Sequence, residues 1–274
     1  MPRLPLSQHP ILHFRNKYLH HKIKRTVFPE GKTEIFIGNI KFPCDMSLGK
    51  IAKSVYCGCF DYEIRRLIEN YLKPGDVFLD VGANMGYFTA VAANVVGPQG
   101  QVHSFEPAFQ YADYIQELID LNPAYKIYLN RYALGSSSSK ATLYENKINT
   151  GGHSLLKEYV GELIRDEYEV RVERLDAYLE KQCLQRISLI KIDTEGYEFP
   201  ILLGLESFLE STDRLPIIIA EISPNSFPMT GHTIGDFTDY VRRYGYEIYA
   251  ICGCHKIDIT KVRKQTNVVL RARK

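Results

Sequence analysis

Val77-Phe78-Leu79-Asp80-Val81-Gly82-Ala83-Asn84-Met85-Gly86 is the stretch on which the fold of this chain turns. Val77 to Val81 lack the polar alternation of a half-solvated strand, so they read as a strand covered on both faces. Gly82 then lets the backbone turn tightly and approach a ligand closely. A small-residue helix runs from Tyr87 to Val96 and stops at Gly97-Pro98.

The same grammar continues downstream. Gln101–Phe105 reads as a second strand, ending at Glu106-Pro107. A helix over 108–121 carries Tyr111, Tyr114, Ile115, Leu118 and Ile119 on one face, and 127–129 make a third strand. Strand–helix–strand–helix–strand implies an α/β fold with a parallel sheet between helical layers. Residues 187–193 and 217–222 are the fourth and fifth core strands. Helices are expected at 175–182, 198–210 and 233–244, and 246–252 with 266–272 form a terminal antiparallel pair. After the loop Gly135 to Lys140, residues 141–145 and 167–172 are added strands flanking Asn149-Thr150-Gly151-Gly152-His153-Ser154-Leu155. Upstream, 34–42 suit a short hairpin. Residues 61–72 suit a helix capped by Asp61 and stopped by Lys73-Pro74-Gly75.

With 274 residues, 45% hydrophobic and 24% charged, the chain has an ordinary globular composition, which excludes disorder, collagen and coiled coil as whole-chain readings. No run approaches the roughly 18 apolar residues of a membrane span. His9, His13, Arg15 and Lys17 interrupt any secretory core, and six Cys are too few for a disulfide scaffold, so a cytoplasmic setting is expected. The net charge of +2 is unevenly spread: residues 1–32 hold seven Lys or Arg against Glu30 alone, and the remainder is mildly acidic. Residues 1–33 therefore read as a basic extension and 34–274 as one domain. Such an arm can make weak contact with an anionic membrane surface, at about 1 kcal/mol per basic residue, which would make the protein peripheral to the membrane. Cys57-Gly58-Cys59 and Cys252-Gly253-Cys254, followed by His255, are spaced too tightly for ordinary structural zinc and read as thiols beside glycine turns.

Asp80-x-Gly82-x-Asn84-x-Gly86 lies between a strand and a helix, and Glu106 ends the next strand. Both points fall at the carboxyl edge of a doubly wound sheet, where nucleotides bind and a carboxylate can accept from ribose hydroxyls. A dinucleotide loop wants glycine where Asn84 stands, and an acid at 80 repels pyrophosphate. The sulfonium and ammonium of S-adenosylmethionine would instead be attracted.

A second constellation is Lys191-Ile192-Asp193-Thr194-Glu195-Gly196-Tyr197-Glu198. Leu189, Lys191 and Asp193 share one strand face, and a lysine inside an apolar strand needs a partner, which Asp193 can supply. Glu221 ends the fifth strand, so three acids meet at one edge. One carboxylate would act as a general base on a substrate hydroxyl, or Asp193, Glu195 and Glu221 would together hold a divalent cation such as Mg2+. His153 is a further candidate base near neutral pH.

On these residues the chain resembles the FkbM family of S-adenosylmethionine-dependent methyltransferases over roughly 45–272. The carriers are residues 73–86, Phe105-Glu106-Pro107, Ala133-Leu134-Gly135, Gly152-His153-Ser154-Leu155, Arg174-Leu175-Asp176, residues 190–198 and Ala220-Glu221. The resemblance implies a seven-stranded, mostly parallel Rossmann-like class I methyltransferase fold. It also implies O-methylation of a sugar, glycolipid or polyketide-like hydroxyl acceptor, small or lipid-linked. Asp80, Gly82, Ala83, Asn84, Gly86, Glu106, Pro107 and Ala133 are the expected cofactor residues, and Lys191, Asp193, Glu195, Glu221 and His153 the expected catalytic ones. A nucleic-acid methyltransferase is the alternative the basic arm suggests. The chain lacks an Asn-Pro-Pro-Tyr-like motif after the fourth strand, and an acidic edge repels phosphates, so no nucleic-acid partner is expected. A non-catalytic S-adenosylmethionine-binding module is the other alternative, and the intact loop and acids speak against it.

Overall fold

The computed structural model describes residues 28–148, 151–252 and 255–273. Most of the basic extension, with its expected membrane contact, lies outside the described residues. Within them, no helix is long and apolar enough to cross a membrane.

The chain opens with a hairpin, β1 (Lys32–Ile37) and β2 (Ile40–Asp45), whose first strand starts inside the stretch read as extension. Two helices follow, α1 (Lys50–Tyr56) and α2 (Tyr62–Tyr71). Next come β3 (Val77–Val81), α3 (Tyr87–Val96), β4 (Gln101–Phe105), α4 (Phe109–Leu121) and β5 (Lys126–Asn130). An insertion adds β6 (Ala133–Leu134), β7 (Ser139–Asn146), the short α5 (Lys157–Val160) and β8 (Ile164–Glu173). Then follow α6 (Leu175–Lys181), β9 (Leu189–Ile192), α7 (Glu198–Leu203), α8 (Glu206–Ser211) and β10 (Ile217–Ile222). The chain closes with α9 (Ile234–Arg243), β11 (Tyr246–Ala250) and β12 (Thr266–Ala272).

The main sheet has seven strands in the order β11-β12-β10-β9-β3-β4-β5. β12 pairs antiparallel with both β10 and β11, and the other neighbours are parallel. This is the architecture expected from the sequence. Its strands alternate between two cores. Leu79, Val81, Ile190 and Ile192 face one, while Phe78, Val102, Leu189 and Ile219 face the other. Chain order reverses between β3 and β9, and such a switch point opens a crevice at the carboxyl ends of the strands.

The insertion forms a separate three-stranded sheet, β6-β8-β7. Its Leu143, Val170 and Val172 pack on Ala108 and Tyr111 at the start of α4, which roofs the crevice on the β4 side. The single helix expected over 198–210 is two. The break falls at Gly204, where a Cβ would stand 2.1 Å from the Gly135 carbonyl oxygen. The Asp61 cap is not formed. That residue is left-handed, at φ 34° and ψ 55°, and its side chain makes no capping bond.

Candidate active site

The switch point holds a cavity of about 310 Å³. Its walls run from the β3 loop, through Glu106 and Pro107 and past Ala133, to Asp193, Glu195 and Glu221, with His153 in the insertion's share of the wall. The sequence-predicted residues thus converge, with two exceptions among the cofactor set.

Asp80 is the first exception. It is fully buried and does not line the cavity. It stands opposite Lys191 in the β3–β9 register, accepts from the Thr89 hydroxyl at 2.7 Å, and lies 3.9 Å from the Lys191 ammonium. It therefore lies beneath the loop and not in the cavity wall. Burial raises its pKa while Lys191 and Thr89 pull it back down. Gly86 is the second. It sits at the start of α3 with φ +84°, and a Cβ there would lie 3.1 Å from Ile115 and 3.3 Å from Leu118. Its smallness serves helix packing.

Gly82 does what the loop reading requires. At φ +75°, its missing Cβ would fall 1.8 Å from the Asp193 carbonyl oxygen, so the β3 and β9 loops touch through bare backbone. The Gly82 and Ala83 amides both donate to the Phe105 carbonyl at 3.1 Å. The Glu106 carboxylate accepts the Asn84 amide at 2.7 Å and the Ala108 amide at 2.9 Å. Each of its oxygens keeps a second acceptor site. Burial outweighs these bonds and pushes the Glu106 pKa up to about 7.

Across the cavity, Lys191 forms the pair expected with Asp193, at 3.1 Å, and its ammonium lies over the Phe88 ring at 5.1 Å. Burial opposes its charge, but Asp193 and Asp80 outweigh burial and hold it protonated. Lys191 is thus committed to two carboxylates. Asp193, Glu195 and Glu221 each bring an oxygen within 4.8 Å of the others. They come with donors that sequence reading missed. The Gln265 amide donates to Glu195 at 3.3 Å and to Glu221, and the Tyr159 hydroxyl donates to Glu195 at 3.2 Å. Burial, then the Asp193 charge, pushes Glu195 up to about 7. The same two causes, followed by the Glu195 charge, push Glu221 up to about 9.

Glu198 was also missed as a positioning residue. Buried, it accepts from the Thr194 amide at 2.8 Å, the Thr194 hydroxyl at 3.1 Å and the Gly196 amide at 3.1 Å. Those bonds hold the turn in which Glu195 adopts φ +56°. Asp61, also in the cavity wall, has its pKa raised by burial and then by Asp193. Its left-handed backbone and its place in the wall follow from tertiary packing that no local motif signals.

His153 lines the cavity, as expected. Its Nδ1 accepts the Asn146 amide at 2.9 Å, and burial lowers its pKa. In the neutral ring, the bond to Nδ1 leaves the proton on Nε2. The next residue, Ser154, donates its hydroxyl to the Glu195 carbonyl at 2.8 Å. The segment thus straps the insertion to the β9 loop.

Among the described residues, the three acids are the one His, Cys, Asp and Glu cluster of three or more with metal-like spacing. Cys57, Cys59 and Cys252 do not line the cavity. Cys57 and Cys59 are half-buried around Gly58 at φ +64°, as expected, whereas Cys252 is exposed, 3.8 Å from His255 Nδ1. Cys254 falls outside the described residues.

The chain is 26% identical over 209 residues to AMB antimetabolite synthetase AmbE of Pseudomonas aeruginosa, covering 65% of this chain and 10% of that protein. It is 26% identical to hexuronic acid methyltransferase AglP of Haloferax volcanii, over 59% of this chain and 62% of that one. It is 24% identical to 31-O-demethyl-FK506 methyltransferase FkbM of Streptomyces tacrolimicus, over 65% and 75%. The chain therefore spans less than two thirds of AmbE and of AglP. The profile of the methyltransferase FkbM domain matches residues 80–248, more than half of the chain. That match takes in the glycine loop, Glu106, the His153 strap and the acid cluster, and by it the chain belongs to the FkbM methyltransferase family.

Proposed function

We propose that the protein is an S-adenosylmethionine-dependent O-methyltransferase acting on a hydroxyl of a sugar, glycolipid or polyketide-like molecule. The observation that carries this reading is the pairing, in one cavity, of a bare-backbone loop tied to Glu106 with two carboxylates of raised proton affinity. The residues fit the cofactor. Gly82 leaves room for close approach, Glu106 has acceptor capacity for ribose hydroxyls, and Asp61 and Asp193 supply negative potential near the cavity mouth. When bound, S-adenosylmethionine supplies an electrophilic methyl on a sulfonium.

Glu221 is the stronger base of the pair and takes the proton of the acceptor hydroxyl as its oxygen becomes the nucleophile. Gln265 holds Glu221 and Glu195 in register, and Tyr159 anchors Glu195. Lys191 stays with Asp80 and Asp193 and fixes the β9 edge. Two relatives support the acceptor class through their names, one a hexuronic acid methyltransferase and one a 31-O-demethyl-FK506 methyltransferase. The test is twofold: thermal shift with S-adenosylhomocysteine, then mass spectrometry of a panel of hydroxyl and amine acceptors. No shift at saturating ligand overturns the cofactor reading, and transfer confined to amines overturns O-methylation.

A further inference from the structure

Asp61 is an accessible carboxylate in the cavity wall that the rest of the protein leaves uncommitted. The residue is exposed and lines the cavity, so a bound molecule can reach it. Its carboxylate bonds its own amide, and it forms no hydrogen bond or ion pair with another residue among the described ones. The charges around it do not balance it. Glu106, Asp193, Glu195 and Glu221 also line the cavity. Among the described residues, Lys191 is the one Lys or Arg in the wall, and Asp80 and Asp193 already share it. A cavity with this surplus of carboxylate favours a ligand that brings a cation.

Packing places Asp61 on the β9 side of the β3 loop. Phe60, its neighbour in the chain, meets the Tyr87 ring edge-on at 5.4 Å and lies 5.9 Å from the Phe88 ring, both in the first turn of α3. Lys191 lies over Phe88 at 5.1 Å and pairs with Asp193 at 3.1 Å. The Asp193 charge reaches Asp61: after burial, it is what raises the Asp61 pKa. Glu106, the proposed ribose partner, is on the β4 side, tied to the Asn84 and Ala108 amides. A cofactor with its ribose on Glu106 carries two further branches on sulfur, the methyl and the amino-acid arm. The methyl belongs with the carboxylates that handle the proton, and the arm is the branch left for the side where Asp61 stands. We infer that Asp61 is a cofactor-binding residue, accepting a charge-assisted hydrogen bond from the α-ammonium of the amino-acid arm of S-adenosylmethionine. The inference rests on the cofactor reading above. It adds a residue upstream of the segment that matches the FkbM domain, which begins at residue 80.

The test is Asp61→Asn, which removes the charge at nearly constant size. Asn also suits the left-handed backbone found here, at φ 34° and ψ 55°. Calorimetry then compares two probes: S-adenosylhomocysteine, which keeps the amino-acid arm, and 5′-methylthioadenosine, which lacks it. The unmodified protein should bind the first more tightly. Asp61→Asn should bind S-adenosylhomocysteine about tenfold more weakly, the scale of one hydrogen bond to a charged group. It should bind methylthioadenosine as the unmodified protein does. Unchanged affinity for S-adenosylhomocysteine overturns the inference and leaves Asp61 to the acceptor. Equal weakening for both probes also overturns it, because Asp61 would then shape the wall and not hold the arm. If the unmodified protein binds neither probe, the cofactor reading fails first and takes this assignment with it.

Discussion

On the β3 and β4 side of the cavity the contacts are made by backbone. Gly82 meets the Asp193 carbonyl, Gly82 and Ala83 donate to Phe105, and Glu106 collects the amides of Asn84 and Ala108. On the β9 and β10 side they are made by side chains: three carboxylates, a bridging glutamine and a tyrosine. Backbone contacts do not titrate and tolerate no added atom. Side-chain carboxylates tolerate substitution but change with pH. On the proposed function the first half serves affinity and the second proton transfer, and substitutions in each should fail in different ways.

The largest effect is expected at Gly82. Gly82→Ala places a Cβ 1.8 Å from a backbone oxygen at φ +75°, so the β3 and β9 loops must part. A displacement near 1 Å in a positioned site costs about 100-fold, and the thermal shift with S-adenosylhomocysteine should vanish. A variant that keeps its shift would show that the loop contact is not what positions the cofactor, and the two halves would no longer differ as stated.

Glu221→Gln should show the opposite signature. It removes a base without adding volume, so kcat should fall by about 10²- to 10⁴-fold while S-adenosylhomocysteine affinity, read by calorimetry, holds. A loss of affinity matching the loss of kcat would merge the two halves into one binding site.

The same division explains what was legible in the sequence. The β3, β9 and β10 runs are largely apolar, and the short β4 run is bounded by Gly100 and Glu106-Pro107, so strand positions and the Glu106, Asp193 and Glu221 edge could be read directly. What was lost depends on distant contacts. The apolar pattern of 198–210 continues across Gly204, and the close approach of the Gly135 carbonyl there, far away in sequence, could not be read from it. Asp61 has cap chemistry, but its backbone is left-handed and its side chain joins the cavity wall. Gln265 and Tyr159 are lone polar residues in no motif, and only the fold brings them to Glu195. Asp80 was placed at the correct strand end but on the buried side, where its register partner Lys191 claims it.

A smaller effect is expected in the pH profile. Glu221 works as a base only when deprotonated, and burial holds its free-protein pKa at about 9. Activity should therefore rise with pH, with the kcat/KM limb near that value. A bound sulfonium favours the carboxylate form, so the kcat limb should lie at lower pH. Gln265→Leu removes the amide that pulls this pKa down, and both limbs should move upward. An upward shift of one unit lowers activity about tenfold on the acid side of the limb. Limbs that do not move would assign the base to a group Gln265 does not touch.

The smallest effect is expected from chelation. The three acids have oxygens close enough for a cation, the role Mg2+ would take. Their oxygens already hold donors: Gln265 bonds both glutamates, Tyr159 bonds Glu195, and Lys191 sits 3.1 Å from Asp193. A divalent ion would compete for these oxygens with an amide, a phenol and an ammonium that Asp80 also attracts. Initial rates with EDTA, and with Mg2+ restored, should therefore agree with the untreated enzyme. A loss with EDTA that Mg2+ reverses would make the acid cluster a metal centre. The β9 and β10 half would then work by acidifying the hydroxyl through the ion instead of by accepting its proton on Glu221.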